Sequence, residues 1–323
     1  MNKLKESKEI SGVVNHADSQ YLTLLNDILK KGNESTDRTG TGTLKVFGRI
    51  LKFDLSEGYP LLTTKEVWFR GVKEELLWFI RGERNIRPLV TKGVHIWDEW
   101  PFKKYLEANQ LGHVNQKDTP DEWGERLEKF VESIKEDEDF AKRWGDLGPV
   151  YGYQWRHWKT IGGKEIDQLA VAVDTIRNNP DSRRILVTAW DPEDVDSQKV
   201  ALPPCHILYQ FQTDGNKLNC MMYQRSVDTF LGLPFNIASY ALLTELIAKI
   251  TNKEPGELSI ALADTHLYLD HQKQAKEQLK RIPKALPKLV IDDSIRDIDN
   301  LNSEGIQVVG YDPHPPIKAQ ISV

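Results

Sequence analysis

Two hydrophobic periodicities alternate along the chain. Apolar residues spaced three or four positions apart predict helices, and short runs rich in branched and aromatic residues predict strands. The predicted helices span 19–31, 70–81, 166–177, 234–250 and 267–279. The predicted strands span 44–55, 185–190, 206–212, 217–223 and 258–263. Segment 234–250 is the most apolar of these helices, so we expect it at the centre of the core.

The order of these elements predicts the fold class. Strands 206–212 and 217–223 are separated by Thr213-Asp214-Gly215-Asn216, which is a strong hairpin signal. A hairpin makes part of the sheet antiparallel, while the other strands are interleaved with helices. We therefore expect an α+β (mixed α/β) architecture, with a single domain over 1–323.

Segment 102–143 differs in composition from its surroundings. Of its 42 residues 19 are charged, 11 acidic and 8 basic. Two predicted turns that contain proline or glycine precede a segment that we expect to form a solvent-exposed helix. We expect a peripheral insertion here, with its charges facing solvent rather than a partner.

Composition narrows the classes of protein to consider. Among 323 residues, 39% are hydrophobic and 28% charged, which is typical of a globular chain. The net charge of −5 argues against a general nucleic-acid binder, but it does not exclude a local basic pocket for one phosphate. The first sixteen residues lack the apolar core of a secretion signal, and no apolar run approaches the length of a membrane span. We therefore expect a cytoplasmic protein without a membrane segment.

Cys205 is the first candidate for chemistry. It follows Pro203-Pro204, which present it rigidly at the start of a predicted strand. With only one other cysteine, Cys220, neither a disulfide framework nor a zinc cluster is expected. Cys220 lies in mid-strand and is expected to be structural. A protease-like pair of Cys205 with His206 is disfavoured, because successive strand residues point to opposite faces.

Four arginines predict an anion site. Arg38 lies in a glycine-rich loop, Arg183-Arg184 precedes a strand, and Arg225 is followed by Ser226. Guanidinium groups beside a serine suit a phosphate, and they also favour a nearby thiolate. Each arginine taken alone is more typical of a surface ion pair. The loop lacks the lysine and hydroxyl residue of an ATP-type phosphate loop.

Glu75 and a tryptophan pair are further candidates. Glu75 lies on the apolar helix 70–81, where burial would raise its pKa and suit it to proton transfer. Helical spacing alone does not distinguish this role from that of a surface glutamate. The run Ile96-Trp97-Asp98-Glu99-Trp100 offers rings that could stack on a flat heterocycle or pack in the core.

Several motifs, taken together and in order, resemble the thymidylate synthase family. They run from about residue 20 to the C-terminus, and the charged insertion lies where some bacterial members carry extra residues. The motifs are Asp37-Arg38-Thr39-Gly40-Thr41-Gly42-Thr43, Glu75-Leu76-Leu77-Trp78-Phe79, Ile96-Trp97-Asp98-Glu99-Trp100, Asp146-Leu147-Gly148-Pro149-Val150-Tyr151-Gly152, Asp181-Ser182-Arg183-Arg184, Pro203-Pro204-Cys205-His206, Tyr223-Gln224-Arg225-Ser226-Val227-Asp228, Phe230-Leu231-Gly232-Leu233-Pro234-Phe235-Asn236-Ile237-Ala238-Ser239-Tyr240, Asp264-Thr265-His266-Leu267-Tyr268 and Gly310-Tyr311-Asp312-Pro313-His314-Pro315.

The resemblance implies a fold and a reaction. The fold would be a large, mostly antiparallel twisted sheet covered by helices, in a homodimer packed through the sheets. The reaction would be methylation of dUMP to dTMP by 5,10-methylenetetrahydrofolate, with release of dihydrofolate. Cys205 would add to C6 of the uracil. Because the folate is a co-substrate that supplies the hydride, no metal, NADPH or flavin is expected, and no membrane or nucleic-acid partner is indicated.

The resemblance also implies roles for individual residues. Those expected to act in catalysis are Cys205, Glu75, Tyr151, His206, Asn236, Arg225 and Asp228. Those expected to bind dUMP are Arg38, Gln224, Arg225, Ser226, Asp228, Asn236, His266 and Tyr268, joined by Arg183 and Arg184 from the neighbouring subunit. Those expected on the folate side are Lys65, Ile96, Trp97, Trp100, Leu202, Asp228, Gly232, Phe235 and the C-terminal Val323.

Some positions depart from the family pattern, and two other functions are considered. The tail Lys318-Ala319-Gln320-Ile321-Ser322-Val323 stands where the family typically has Ala-Pro before a short apolar end. Glu83-Arg84 replaces a common Asp-Thr pair, and Ala263 replaces a usual glycine. One alternative is a dCMP hydroxymethylase on the same fold, which would need an acid at Asn236. The other is a non-catalytic nucleotide- or RNA-binding homologue, which should have lost Cys205, Arg225 or Asn236.

Overall fold

The structure is a computed structural model that describes residues 15–36, 40–112, 119–197 and 199–320. The helices in these ranges are α1 (His16–Lys31), α2 (Phe69–Ile80), α3 (Arg87–Thr91), α4 (Glu99–Ala108), α5 (Pro120–Glu136), α6 (Glu138–Trp144), α7 (Tyr151–Arg156), α8 (Gln168–Asn178), α9 (Pro192–Asp196), α10 (Gly232–Ile250) and α11 (Gln272–Gln278). The strands are β1 (Asn33–Ser35), β2 (Thr43–Asp54), β3 (Trp158–Lys159), β4 (Glu165–Ile166), β5 (Leu186–Thr188), β6 (His206–Asp214), β7 (Lys217–Asp228), β8 (Glu254–Tyr268), β9 (Lys288–Ile291) and β10 (Ile306–Val309). Short 3-10 helices occupy Leu55–Glu57, Leu269–His271 and Ser303–Gly305.

A six-stranded sheet in the order β1-β2-β8-β7-β6-β5 organises the chain. Four neighbouring pairs are antiparallel and β7–β8 is parallel. The predicted hairpin is confirmed, because β6 and β7 pair directly through Asp214 and Lys217, with Gly215 at a φ of 57° in the turn. The predicted α+β class, with a mixed and largely antiparallel sheet, is therefore confirmed.

Helix α10 lies at the centre of the core, as its apolar sequence predicts. It packs against β7, β8 and α2, and nearly all of its aliphatic residues are buried. By length and composition alone it could cross a membrane, but 78% of its most apolar window is buried inside the protein. It is therefore a core helix whose N-terminal end places Asn236 beside the sheet.

Two predicted elements differ from the structure. Segment 185–190 was expected to be a buried strand, but β5 is a three-residue edge strand with Leu186 exposed. The predicted helix 267–279 begins later, because β8 continues through Tyr268 and helix α11 starts only at Gln272. Pairing of β8 with both β2 and β7 keeps this segment extended beyond the predicted end at 263. This extension carries His266 and Tyr268 into the sheet.

The insertion 102–143 contains more buried structure than its charge predicts. Helices α4, α5 and α6 enclose an aromatic cluster with ring centroids about 5 Å apart, formed by Phe102, Tyr105, Trp123, Phe130, Phe140 and Trp144. Helix α5 is therefore amphipathic rather than fully solvated, since Trp123, Phe130 and Ile134 are buried on one side.

The face of the sheet opposite α10 is apolar and exposed. Residues directly opposite each other on neighbouring strands share a face. Ile50 pairs with Ala261, which pairs with Tyr223, and Met221 pairs through Gln210 with Leu186. Side chains on this face are exposed by 37% to 78%: Phe47, Ile50, Leu186, Met221 and Tyr223. We refer to these five residues as the outer sheet face.

Candidate active site

Cys205 lies immediately before β6, beside the guanidinium of Arg225. Arg225 on β7 donates hydrogen bonds to the carbonyls of Pro204 (2.7 Å) and Pro203 (2.8 Å), and its Nη2 lies 3.8 Å from Cys205 Sγ. Its planar group also lies 5.4 Å from the ring of Trp190. The two prolines therefore present their carbonyls to one arginine, which fixes that positive charge next to the half-buried sulfur. Such a charge stabilises a thiolate over a thiol.

Tyr151 touches the same loop from the other side. Its hydroxyl accepts a hydrogen bond of 2.9 Å from the backbone N–H of Cys205. Burial holds the pKa of Tyr151 well above its usual range, so its hydroxyl stays protonated at neutral pH. The residue has a φ of 29°, a strained value that is common at functional sites. A side chain on Gly152 would meet the Phe79 carbonyl at 2.1 Å, so glycine is required for α7 to approach α2.

His206 is buried behind Cys205. Its ring stacks on Tyr151 with centroids 4.1 Å apart, and its Nδ1 hydrogen bonds with the Tyr240 hydroxyl at 2.8 Å. Burial lowers the pKa of His206 to about 3, so the imidazole is neutral throughout the physiological range. This histidine can therefore orient a hydroxyl or water, but it does not supply positive charge.

Glu75 faces the site from α2 and pairs with a tryptophan. Its carboxylate accepts a hydrogen bond of 2.7 Å from Trp97 Nε1. Burial raises the pKa of Glu75 to about 7, against a smaller opposing effect of that bond. The adjacent Glu74 is different, because it is paired with Lys92 at 2.6 Å. Glu75 is therefore the carboxyl group of this helix that can hold or release a proton near neutral pH.

Asn236 and Gln224 form an amide pair between α10 and β7. Gln224 Nε2 donates a hydrogen bond of 2.8 Å to Asn236 Oδ1. This bond fixes which way the Asn236 amide points, and it leaves its Nδ2 hydrogens for a ligand. A carbonyl oxygen has two lone pairs, so Oδ1 can accept a second hydrogen bond. The pair is therefore arranged to read one donor and one acceptor side by side.

Asp228 and His266 pair across β7 and β8 at the end of the sheet. Asp228 Oδ1 accepts hydrogen bonds from the N–H groups of Phe230 (2.9 Å) and Leu231 (3.1 Å), which shapes the turn into α10. His266 Nδ1 lies 2.8 Å from Asp264 Oδ1, and this contact keeps the pKa of Asp264 below its usual range. Tyr268 follows two residues later on the same face, with its ring 5.4 Å from that of His266.

Lys65 lies close to the same turn but is buried. Its Nζ donates to the Phe230 carbonyl at 2.5 Å and lies 3.8 Å from the Phe230 ring centroid. Burial lowers the pKa of Lys65 to about 8.

Among the aromatic residues predicted for the folate side, Trp97 and Trp100 lie 5.2 Å apart and Trp97 lies 5.8 Å from Tyr151. The half-buried residues Ile96, Leu202, Gly232 and Phe235 complete that predicted set.

Some predicted residues are not brought to Cys205 within one chain. Arg183 and Arg184 are exposed, and the described residues offer them no carboxylate partner. Leu186 pairs with Gln210 and Thr188 with Leu208, so the chain before β5 runs away from Cys205. Arg184 is level with Gln212, about 20 Å along β6 from Cys205, which is beyond the reach of a side chain. Arg38 and Val323 lie outside the described residues.

Other residues of the site were missed by sequence reasoning. Trp190 stacks on Arg225, and Tyr240 binds His206 from a helix more than 30 positions later in the chain. Neither contact has a local sequence signal. Asp264 could have been found, because it lies two residues before His266 and alternate strand residues share a face.

A large groove lies elsewhere and contains none of the predicted site residues. Its volume is about 1210 Å³, and its walls come from the insertion, the β3–β4 hairpin and the 191–199 segment. No cluster of three or more His, Cys, Asp or Glu side chains suited to a metal occurs in the described ranges. The predicted site residues Tyr151 and Arg225 are grouped around Cys205 and not in this groove.

Comparison with known proteins covers nearly the whole chain. The sequence profile of the thymidylate synthase family matches residues 19–323, a range that contains every predicted site residue. A thymidylate synthase of Mycoplasma mobile is 49% identical over 304 residues, which cover 94% of this chain and 99% of that protein. The order of motifs, the sheet and the contacts of Cys205 agree with this match. The chain therefore belongs to the thymidylate synthase family of methyltransferases.

Proposed function

We propose that this protein converts dUMP to dTMP with 5,10-methylenetetrahydrofolate, through covalent addition of Cys205 to the uracil. The observation that carries this proposal is the contact of 3.8 Å between Arg225 Nη2 and Cys205 Sγ, with Tyr151 bonded to the same residue. A nucleophilic sulfur beside a fixed guanidinium has both an activated thiolate and a partner for a phosphate. The family assignment supplies the substrates that fit this arrangement.

The reaction balances without any further reagent. The Cys205 thiolate adds to C6 of the uracil, and the electron pair moves to C5, which attacks the methylene carbon of the folate. Loss of the C5 proton and elimination of tetrahydrofolate leave an exocyclic methylene group. A hydride from the tetrahydrofolate ring then reduces that group to methyl, the sulfur leaves, and the folate is released as dihydrofolate. Because the folate supplies both carbon and hydride, neither NADPH, flavin nor metal takes part.

Proton handling is assigned to Glu75, His206 and Tyr151. With a pKa of about 7, Glu75 can exchange a proton near O4 of the uracil through water. His206 remains neutral and orients that water. Tyr151 keeps its hydroxyl proton, so it acts on the C5 proton as a hydrogen-bond partner that positions a water molecule, and not as a phenolate base.

Specificity for uracil rests on the amide pair. Asn236 Nδ2 donates to O4, and Oδ1 accepts from N3–H while it also accepts from Gln224. Cytosine presents an amino donor and a bare ring nitrogen at these positions, which mismatches both atoms. The dCMP hydroxymethylase alternative is therefore disfavoured by the geometry of this pair. His266, held by Asp264, and Tyr268 would bind the 3′-hydroxyl of the sugar.

The phosphate site is proposed to need two subunits. Arg225 and Ser226 of one chain, with Arg38, would bind the phosphate, and Arg183 and Arg184 would come from the partner. The separation of about 20 Å between Arg184 and Cys205 along β6 supports a contribution from the partner rather than from the same chain. The outer sheet face supplies an apolar surface for a two-fold symmetric dimer, in which each subunit completes the other's site. We expect this dimer to act in the cytoplasm, where a reactive thiol stays reduced.

The folate side is proposed to lie between the tryptophan pair and the start of α10. Trp97 and Trp100 offer aromatic surface, and the carboxylate of Asp228 lies at the turn into α10. Lys65 has a cationic group for the glutamate tail, and its lowered pKa of about 8 still leaves it mostly charged at neutral pH. The remaining residues assigned to this side are Ile96, Leu202, Gly232, Phe235 and Val323.

An absorbance assay for dihydrofolate tests the proposed reaction. Purified protein with 5,10-methylenetetrahydrofolate should produce dihydrofolate when dUMP is added and not when dCMP is added. A product with dCMP, or none with dUMP while dUMP still binds in calorimetry, would contradict the proposal. The second outcome would favour a nucleotide-binding homologue without turnover.

A further inference from the structure

His271 lies where three segments meet beside the proposed site. It ends the 3-10 helix that follows β8, and the residue is fully buried. Its Nε2 lies 2.7 Å from the backbone carbonyl oxygen of Gln320. A carbonyl can only accept, so the imidazole donates this hydrogen bond. The histidine therefore ties the C-terminal segment to the end of the strand that carries Tyr268.

The ring of His271 also contacts two parts of the proposed site. Its centroid lies 5.6 Å from the ring of Tyr268 and 5.7 Å from the ring of Phe230. The Phe230 carbonyl in turn accepts the hydrogen bond from Lys65. The imidazole of His271 thus contacts three parts of the structure. These are Tyr268, the turn at Phe230 that binds Lys65, and the C-terminal segment at Gln320.

The two nitrogens of His271 are not used equally. Nε2 carries the hydrogen that binds Gln320. Nδ1 is buried and has no hydrogen-bond partner among the described residues. A buried polar atom without a partner is unfavourable and is uncommon in native proteins. Within the described part of the chain, the one hydrogen bond of this side chain goes to the tail, which points to that contact as its role.

We propose that His271 is a positioning residue that fixes the C-terminal segment at Gln320 for the folate-dependent part of the reaction. This inference rests on the proposed function, which assigns the C-terminal Val323 to the folate side. The bond goes to a backbone carbonyl, so it does not require a particular side chain at 320. Folate binding depends on this anchoring hydrogen bond, and dUMP binding does not.

Two substitutions separate the hydrogen bond from the packing of the ring. In His271→Gln the amide nitrogen lies near the position of imidazole Nε2 and can still donate to Gln320. In His271→Asn the shorter amide reaches only the position of Nδ1 and cannot. Both variants remove the ring from Phe230 and Tyr268, so the loss of packing is common to both. The difference between them measures the anchor.

The KM for folate and the Kd for dUMP should respond differently. We expect the KM for 5,10-methylenetetrahydrofolate to be roughly threefold to tenfold higher in His271→Asn than in His271→Gln, which is the effect of one hydrogen bond. The Kd for dUMP, measured by calorimetry without folate, should agree within about twofold. Equal KM values in the two variants, or a parallel rise in the Kd for dUMP, would overturn the proposal.

Two ligand-free measurements keep the anchor testable if the proposed reaction fails. Carboxypeptidase should release Gln320 faster from His271→Asn than from His271→Gln, and equal rates would overturn the anchor. In the unsubstituted protein, nitrogen-15 NMR should show His271 as the tautomer protonated at Nε2, and protonation at Nδ1 alone would overturn it too. Absence of dihydrofolate from the unsubstituted protein contradicts the proposed function only, because neither ligand-free result depends on turnover.

Discussion

Trp97 Nε1 donates a hydrogen bond of 2.7 Å to the carboxylate of Glu75. The indole precedes α4 and the carboxylate belongs to α2, so the pair exists only in the folded chain. Burial raises the pKa of Glu75 to about 7 even though this bond opposes the shift. The pair therefore keeps one carboxyl group oriented and near its midpoint of ionisation at neutral pH.

This relationship predicts how the stability of the protein varies with pH. The pKa of Glu75 is raised from 4.5 to about 7, so between these values the folded chain keeps a proton that the unfolded chain has lost. The contribution is thus present at low pH and is lost as pH rises through 7. Glu75→Gln cannot ionise, so the free energy of unfolding of the variant relative to the parent should rise by roughly 2 to 3 kcal/mol between pH 5 and pH 8.

Urea unfolding of both proteins at the two pH values measures this difference. All other titrating groups are shared and cancel in the comparison. Glu74→Gln is a suitable control, because Glu74 is paired with Lys92 and its pKa is lowered. With its pKa below 4.5, Glu74 is ionised in both the folded and the unfolded chain between pH 5 and pH 8, so the difference for Glu74→Gln should hardly change over this range. A pH-independent difference for Glu75→Gln would show that Glu75 is ionised in the folded protein at pH 5.

The amide pair predicts a change of base preference in Asn236→Asp. A carboxylate can accept from the 4-amino group of cytosine, and it can still accept from Gln224 Nε2. It has no donor for O4 of uracil. We expect kcat/KM for dUMP to fall roughly 100-fold or more, because a buried polar mismatch discriminates strongly. The Kd for dCMP should fall at the same time, and unchanged discrimination would mean that Asn236 does not contact the base.

The proposed exchange of arginines predicts complementation between two inactive variants. Arg183→Glu damages the site of the partner, and Cys205→Ser damages the site of its own chain. A mixed dimer then has one site with both defects and one intact site. After unfolding and refolding together in equal amounts, activity should return to about a quarter of the parent value, since half of the dimers are mixed. No recovery would place Arg183 in its own chain's site or outside the site altogether.

The buried carboxylate of Asp18 is expected to affect the stability of the fold rather than the reaction. Asp18 is fully buried in the first turn of α1 and accepts five hydrogen bonds of 2.6 to 3.0 Å from Asn15, Thr63 and Thr64. Its removal leaves these donors unpaired. Asp18→Ala should lower the free energy of unfolding by about 3 kcal/mol or more. Asp27→Ala in the same helix breaks only surface ion pairs with Lys31 and Arg49, and should have a much smaller effect in the same unfolding experiment.

The sequence predicted elements whose signals are local. The turn between β6 and β7 is formed by residues that are adjacent in the chain and typical of hairpins. The apolar composition of α10 predicts that this helix is buried. The predicted end of β8 at residue 263 was wrong. Strands β2 and β7 pair with β8 on both sides and keep residues 264–268 extended. The insertion was expected to be solvated, since charge is visible in sequence but the contacts among its aromatic rings are not.

The residues of the site were predicted mainly from the order of the motifs along the chain. Arg225, Cys205 and Tyr151 were assigned together by resemblance, and the structure places their polar atoms in contact. The partners that orient them could not be assigned in this way. Tyr240 and Trp190 act through tertiary contacts that no spacing rule describes.

The most direct test of the account uses a nucleotide from which the C5 proton has been removed. With 5-fluoro-dUMP and 5,10-methylenetetrahydrofolate, thiolate addition and carbon transfer can occur, but there is no proton at C5 to lose, so the covalent intermediate should accumulate. Mass spectrometry of the intact protein should then show one added nucleotide and folate, and peptide mapping should place them on Cys205. Cys205→Ser should show no addition. An adduct on Cys220, or one that persists in Cys205→Ser, would contradict the assignment of the nucleophile.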